Sequence, residues 1–501
     1  MRKPWIVLVA LVALAAISSL GVASFYLLQT ESNGWDSSKY ASQVISWSSC
    51  GENFECGDIT VPVDYENLGG ERIQLSLVKH PANNKSSRLG TLFVNPGGPG
   101  ASGVEYGFAA EYIVSPEILA KYDIVGFDPR GVGGSSAERC LTNKETDRLI
   151  ASNGPPAVGL PESEIIAASK MLAEKCKAKL GDRLKHLGSV DVVRDMELMR
   201  KVLGEKKFNY LGKSYGTYLG LVYAAMYPNS VGRVVLDGVI DPQVTTNEVN
   251  KTQAIGFELA LDSFLTDCIT KVNCFYQGDL QGARDEVSKI MSLLRADPLK
   301  LNDARLVTES ILVLAMVSSL YNTDTGWPEL NRAFKDAVKG KGIRLQRMAD
   351  DYVLRDKAGA YNSNENEIAY IVNCVDREDD ASIERTKADS IAISKIAPHF
   401  GPYIAWSALP CDYWPYPPIR PPVELSGPNL PPFLMVGTTR DPATPYEWAQ
   451  SVSKRFPSAI LITADGDGHT GHGRGSACVD DAVDAYLLKG TLPGGALTCT
   501  L

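Results

Sequence analysis

The chain has 501 residues, is 44% hydrophobic and 22% charged, and carries a formal net charge of −9. That length leaves room for a large core and exceeds one ordinary domain. The excess of acid excludes a nucleic-acid binder, whose phosphate contacts need clustered Lys and Arg.

Arg2 and Lys3 precede an uncharged apolar run from Trp5 to Leu28, the pattern of an export signal. Val22-Ala23-Ser24 suits a cleavage site. The run is also long enough for a retained membrane anchor, which needs about 20 residues. Residues 1–29 are thus expected to be a signal peptide or an N-terminal anchor, with the body of the protein outside the cytoplasm. No cysteine ends the run, which argues against a lipoprotein. The ten cysteines agree with an oxidising compartment. They are spread along the chain without a C-x-x-C pair, so a zinc ribbon or thioredoxin-type site is not expected. The spacing leaves connectivity open; the expected bridges run in chain order, 50–56, 140–176, 268–274, 374–411 and 478–499.

Residues 30–45 read as a polar tether. Ile59 to Tyr65 and Glu71 to His80 read as strands, the second by the alternation of Ile73, Leu75 and Leu77. Thr91-Leu92-Phe93-Val94 is a short buried strand running into Asn95-Pro96-Gly97-Gly98-Pro99-Gly100. Tyr122 to Phe127 leads into Asp128-Pro129-Arg130-Gly131-Val132-Gly133-Gly134-Ser135, which does not complete G-x-G-x-x-G and reads as a structural turn. Residues 160–182 and Asp191 to Leu203 are helical patterns.

The chain is organised around Gly212-Lys213-Ser214-Tyr215-Gly216, preceded by the apolar run Phe208 to Leu211 and followed by a buried helix through Met226. This is G-x-S-x-G in the strand–turn–helix setting of a nucleophile elbow. A phosphate-binding loop ending in the same Gly-Lys-Ser would need glycine at 207, and Lys207 stands there. Ser214 is the candidate nucleophile. The N–H groups of Tyr215 and of Gly98, in the glycine-rich loop, are the candidate oxyanion hole.

After Val231 to Leu236 the strand–helix alternation stops. Helical patterns dominate from 243 to 425, an insertion expected to cap the site. The core, begun at 46–242, resumes over 426–501. Pro432 to Gly437 is a strand leading to Asp441, and Ala459 to Thr463 one leading to His469. The order Ser…Asp…His is that of an α/β-hydrolase, with His469 as base and Asp441 as its orienting carboxylate. His469 follows its strand sooner than His472 and is preferred. Asp465 and Asp467 hint at a calcium loop, but His469 and Ser476 occupy positions where that loop wants acids or amides, so no metal is expected. His80, His186 and His399 read as surface or core residues, and Lys213 as a solvated or hydrogen-bonded side chain.

Together these residues resemble the secreted tripeptidyl-aminopeptidase-like serine peptidases, a branch of the prolyl-aminopeptidase group of α/β-hydrolases. The resemblance runs from about Trp47 to Cys499. It is carried by Val61-Pro62-Val63-Asp64-Tyr65, the Asn95 to Gly100 loop, Asp128-Pro129-Arg130-Gly131, Gly212 to Thr217 and Leu236 to Pro242. Asp441, His469 and a tail with Cys478, Tyr486, Gly490, Pro493 and Cys499 complete it. It implies an α/β fold, with a mostly parallel sheet, helices on both faces and an inserted cap shaping a cleft for short peptides. Peptides are then the expected partners, and no cofactor is expected. The prolyl branch has His where Pro96 stands, so a preference for N-terminal proline does not carry over. The resembling peptidases have a Cys-x-Asp like Cys374-Val375-Asp376, which makes Asp376 and Glu378 candidates to hold a substrate's amino terminus. The expected function is an exported serine aminopeptidase releasing short peptides, tripeptides, through an acyl-enzyme. An esterase using the same triad is the alternative, and a binding protein that lost the chemistry is opposed by the intact Ser…Asp…His order.

Overall fold

The computed structural model describes residues 36–501, apart from 158–159, 378–379 and 428–429. The apolar leader and Glu378 lie outside the described residues. Ten strands form one sheet: β1 (Ser48–Gly51), β2 (Phe54–Pro62), β3 (Arg72–His80), β4 (Gly90–Asn95), β5 (Tyr122–Phe127), β6 (Phe208–Lys213), β7 (Val231–Asp237), β10 (Phe433–Arg440), β11 (Ala459–Asp467) and β12 (Leu497–Thr500). The remaining two, β8 (Leu299–Lys300) and β9 (Leu306–Val307), make a separate antiparallel ribbon. The large sheet runs β1-β2-β3-β5-β4-β6-β7-β10-β11-β12. Pairing is antiparallel from β1 to the β3–β5 contact and parallel from there to β12. This is the α/β-hydrolase fold expected from the sequence.

The parallel strands are near-continuous apolar runs because helices cover both faces. β4 is buried at every residue, and β6 at all but its last. One face packs Phe93, Phe208 and Tyr210 under the helices Ser189–Val202 and Tyr215–Met226. The other packs Val94, Leu211 and Val235 against the helix Ala477–Lys489. The Asp128–Ser135 loop is structural, as expected. Arg130 is fully buried and donates to Asp195 (2.7 Å) and to the carbonyls of Pro62 (3.1 Å) and Val63 (2.8 Å). Removing either member of such a buried pair would strand the other's charge.

Between β7 and β10 the chain is mainly helical, from Thr246–Ile269 to Ile383–Ser394. This insertion has its own apolar core, including Phe257, Phe264, Leu312, Phe334 and Phe400. Helix Glu365–Asp376 packs Ile368, Ile371 and Val375 into the sheet-side core instead, and so joins the two parts. Helix Glu162–Leu180, which precedes the elbow in sequence, buries Ile165 against Trp406 and Leu409 of the insertion.

Five disulfides pair the cysteines in chain order, Cys50–Cys56, Cys140–Cys176, Cys268–Cys274, Cys374–Cys411 and Cys478–Cys499, as expected. No cysteine among the described residues is free. Nor is any helix among them long and apolar enough to cross a membrane.

Candidate active site

The elbow is built by close approach of backbone. A Cβ on Gly212 would stand 2.6 Å from the Gly216 carbonyl, and one on Gly216 2.8 Å from Asn95 Oδ1, so only glycine fits either side of the turn. Ser214 between them holds φ +53° and ψ −123°, a strained conformation for a residue with a side chain. Its backbone is pinned from both sides. The Ser214 N–H donates to the Asp237 carbonyl (2.9 Å), and the Ser214 carbonyl accepts from the Thr217 N–H (2.8 Å) and hydroxyl (2.7 Å).

The glycine-rich loop lies directly against this turn. A Cβ on Gly97, whose φ is +102°, would come within 2.9 Å of both Ser214 Cβ and Tyr215 N. Tyr215 opens a helix, so its N–H has no intrahelical acceptor. Among the described residues neither that N–H nor the Gly98 N–H has an acceptor. Both residues line a cavity of about 570 Å³ together with Ser214 and His469.

Asp441 follows β10 and is fully engaged. Its Oδ1 accepts the N–H groups of Ala443 and Thr444 (2.9 Å each). Its Oδ2 accepts the Thr444 hydroxyl (2.8 Å) and the Thr470 N–H (3.0 Å). Both oxygens face His469 Nδ1, at 2.9 and 3.0 Å. Burial alone would raise the Asp441 pKa; the imidazole and these donors outweigh it and hold the group below the ordinary carboxylate range. A carboxylate only accepts, so Nδ1 carries the proton of neutral His469 and Nε2 is left as a base. Among the described residues Ser214 Oγ and His469 share the cavity wall without a hydrogen bond between them, a contact that commonly tightens only when substrate binds.

Residues outside the triad hold His469 in place, and for Tyr321 and Asp237 the sequence carries no signal of that role. Its N–H donates to the Tyr321 carbonyl of the insertion (3.0 Å), and its ring meets the Tyr321 ring edge-on at 5.0 Å. The following turn is gripped by Asp237 at the end of β7, which accepts the N–H groups of Gly471 (2.8 Å) and His472 (3.0 Å). Lys213 stands 3.4 Å from Asp237 and donates to the His472 carbonyl (2.7 Å), so the residue beside Ser214 ties the elbow to the histidine loop. His472 itself is buried, and burial together with Lys213 drops its pKa to about 3. A group that stays neutral down to that pH is a poor proton shuttle.

Asp376 is not among the residues lining the cavity. It is buried, its Oδ1 accepts the Ser189 N–H (2.7 Å), and its Oδ2 accepts the Ser189 hydroxyl, which also meets the Tyr215 hydroxyl (2.5 Å). The acid on the cavity wall is Glu365, at the other end of the same helix. Among the described residues its carboxylate has neither a hydrogen-bond donor nor a cation. Burial, and then nearby Glu105, push its pKa up. Among the described residues the other ionisable groups on the wall, tyrosines aside, are His469 and Arg377. Arg377 is already committed to the Val244 carbonyl and the face of Tyr218. Helix Glu365–Asp376 is fastened near its far end by the Cys374–Cys411 bridge.

A model of the TAP-like protein family matches residues 397–499. Over 456 residues the chain is 33% identical to a Mycobacterium tuberculosis protein named serine protease Hip1, covering 89% of this chain and 87% of that one. The chain belongs to the TAP-like family of α/β-hydrolases. It is also 33% identical over 469 residues to the tripeptidyl aminopeptidase of Streptomyces coelicolor, covering 91% of this chain and 86% of the other. A third relative, carboxylesterase B of M. tuberculosis, is 34% identical over 474 residues, covering 91% and 89%. This TAP-like protein is thus a serine hydrolase. Its relatives are named both for peptide and for ester cleavage.

Proposed function

We propose that this protein is an exported serine aminopeptidase that releases short peptides, tripeptides, from free amino termini. Ser214 Oγ attacks the scissile carbonyl carbon while His469 Nε2 takes its proton. The N–H groups of Gly98 and Tyr215 receive the developing oxyanion. As the C–N bond breaks, His469 returns the proton to the leaving amine and an acyl-enzyme on Ser214 remains. Water, deprotonated by His469, then attacks the ester carbonyl, and Ser214 leaves with the proton. Asp441 holds the imidazole's orientation and stabilises its cation throughout.

The observation that carries the aminopeptidase reading is Glu365. A half-buried carboxylate on a cavity wall without a cation is costly unless the ligand supplies one. A peptide's ammonium group supplies it, and anchoring that group sets how many residues lie between the amino end and Ser214. Glu365 therefore takes the role expected of Asp376, whose oxygens are spent on Ser189. Asn250, buried on the same wall with its Nδ2 unpartnered, suits a peptide carbonyl. Five disulfides support an exported protein. An esterase is the second reading, favoured by the apolar residues that make up much of the wall and by the name of one relative.

Tripeptidyl p-nitroanilides with free and acetylated amino ends separate the two. Acetylation is expected to remove most turnover. Glu365→Gln gives up a charge-assisted contact of about 1.5–3 kcal/mol, or roughly 10- to 100-fold in kcat/KM. It should do so only for the free-amine peptide, leaving p-nitrophenyl acetate hydrolysis intact. Equal cleavage of free and blocked peptides would overturn the aminopeptidase reading, and ester hydrolysis without cleavage of either peptide would leave the esterase reading standing instead.

A further inference from the structure

A second cavity, of about 400 Å³, lies beside the one that holds Ser214. Ile150, Ser310, Leu314, Val353 and Tyr403 line both, so the two adjoin along these five side chains. Gly154 packs against this partition: a Cβ there would come 2.8 Å from the Tyr403 ring and 3.3 Å from Ser310 Oγ. It also borders the Glu365 end of the first cavity. The Val353 carbonyl accepts a hydrogen bond from Asn366, the neighbour of Glu365, at 2.8 Å.

Six charged side chains among the described residues reach the second cavity, and they cancel in pairs. Arg295 holds Glu309 with two bonds (2.6 and 2.7 Å), and Arg305 holds Asp350 (2.7 and 2.8 Å). Arg355 donates to Asp147 at 2.8 Å. Three cations matched to three anions leave no unspent charge for an ionic ligand. Most of the remaining wall is apolar, including Leu294, Leu306, Ile311 and Ala349. Gln346 also lines it, 5% exposed, with Nε2 donating to Asp350 (3.0 Å) and Oε1 unpartnered. An apolar group with an N–H nearby suits such a site, and a charged one does not.

We propose that the second cavity receives the side chain of the substrate's first residue and selects for an apolar one. This rests on the aminopeptidase reading, because an ammonium held at Glu365 puts that residue beside the partition. The side chain enters past Tyr403 and Ser310, and the enzyme thereby prefers peptides with an aliphatic or aromatic residue at the free amino end.

The test is a series of tripeptidyl p-nitroanilides, Xaa-Ala-Ala, with Gly, Leu, Phe or Asp first. In the wild type Leu and Phe are expected to exceed Gly in kcat/KM by roughly 10- to 100-fold, the discrimination an apolar pocket supplies, with Asp poorest. Ala349→Phe places a ring in the cavity and should abolish the preference, while Gly-Ala-Ala is cleaved at the wild-type rate. That unchanged rate also reports an intact fold. Leu306→Trp, at a 49% exposed position on the rim, repeats the test where a larger side chain is easily accommodated. A preference that survives both substitutions overturns the proposal, as does a wild type indifferent to the first residue. In either case retained selectivity for free over acetylated amino ends keeps the aminopeptidase reading, whereas its loss sinks both.

Discussion

Asp237→Asn probes the link between the elbow and the histidine loop. The wild-type carboxylate accepts two N–H groups, from Gly471 and His472, and faces Lys213 at 3.4 Å. Burial pushes its pKa up; Lys213 and the two amides oppose that rise. An asparagine offers one acceptor oxygen, so its NH2 group must face a donor, and Lys213 loses its counter-charge. Removing one member of a buried pair costs about 3–5 kcal/mol. Lys213 is 18% exposed and keeps the His472 carbonyl, so the low end, about 3 kcal/mol, is expected in urea unfolding. The freed loop carries His469. A displacement of about 1 Å there should lower kcat roughly 100-fold for peptide and ester alike, with little change in KM. Lys213→Met combined with Asp237→Asn should be less destabilising than the sum of the singles by at least about 1 kcal/mol, because neither charge is then stranded. Additive energies, or a single mutant with wild-type kcat, would refute this.

Ser214→Ala, Asp441→Ala and His469→Ala are each expected to abolish most turnover, by about 10⁴-fold or more and non-additively, in p-nitrophenyl ester assays. His472→Gln should retain it, and the opposite pattern would reassign the base. Asp376 has a folded pKa raised from 3.8 to about 6 by burial, against which the Ser189 bonds act. Its contribution to stability is complete below pH 4 and is lost as pH rises through 6. The stability difference between wild type and Asp376→Asn should therefore fall by about 3 kcal/mol across that window, and a flat difference in urea unfolding would contradict the assignment.

Much of this site was legible in the sequence because it depends on backbone chemistry. Glycines at 97, 212 and 216 fit only a close approach of loop to elbow, and apolar runs mark strands covered on both faces. The spacing of Ser214, Asp441 and His469 after three such strands follows from the topology. Residues set by tertiary contact were harder to read. Glu365 and Asp376 lie on one helix of ordinary pattern, about 16 Å apart at 1.5 Å per residue. The sequence shows two acids there but not which of them meets the cavity, and the cysteine lies near Asp376, which does not line it. Asp237 and Thr444 act through a loop more than two hundred residues away and through a turn, respectively, and no local pattern marks them. Helix Thr246–Ile269 begins well before the apolar stretch at Phe257, because its first turns are polar; the Thr245–Glu248 capping box was the available signal. The edge strand β12 is only four residues long and alternates too briefly to stand out.

Mass spectrometry of the first products from an unmodified longer peptide, with an acid-quenched sample of the enzyme, tests the roles of Ser214 and Glu365 most directly. The expected result is an amino-terminal tripeptide with the complementary shortened peptide, and that tripeptide as an acyl adduct on Ser214. Internal fragments appearing first, or an adduct on any residue other than Ser214, would contradict it.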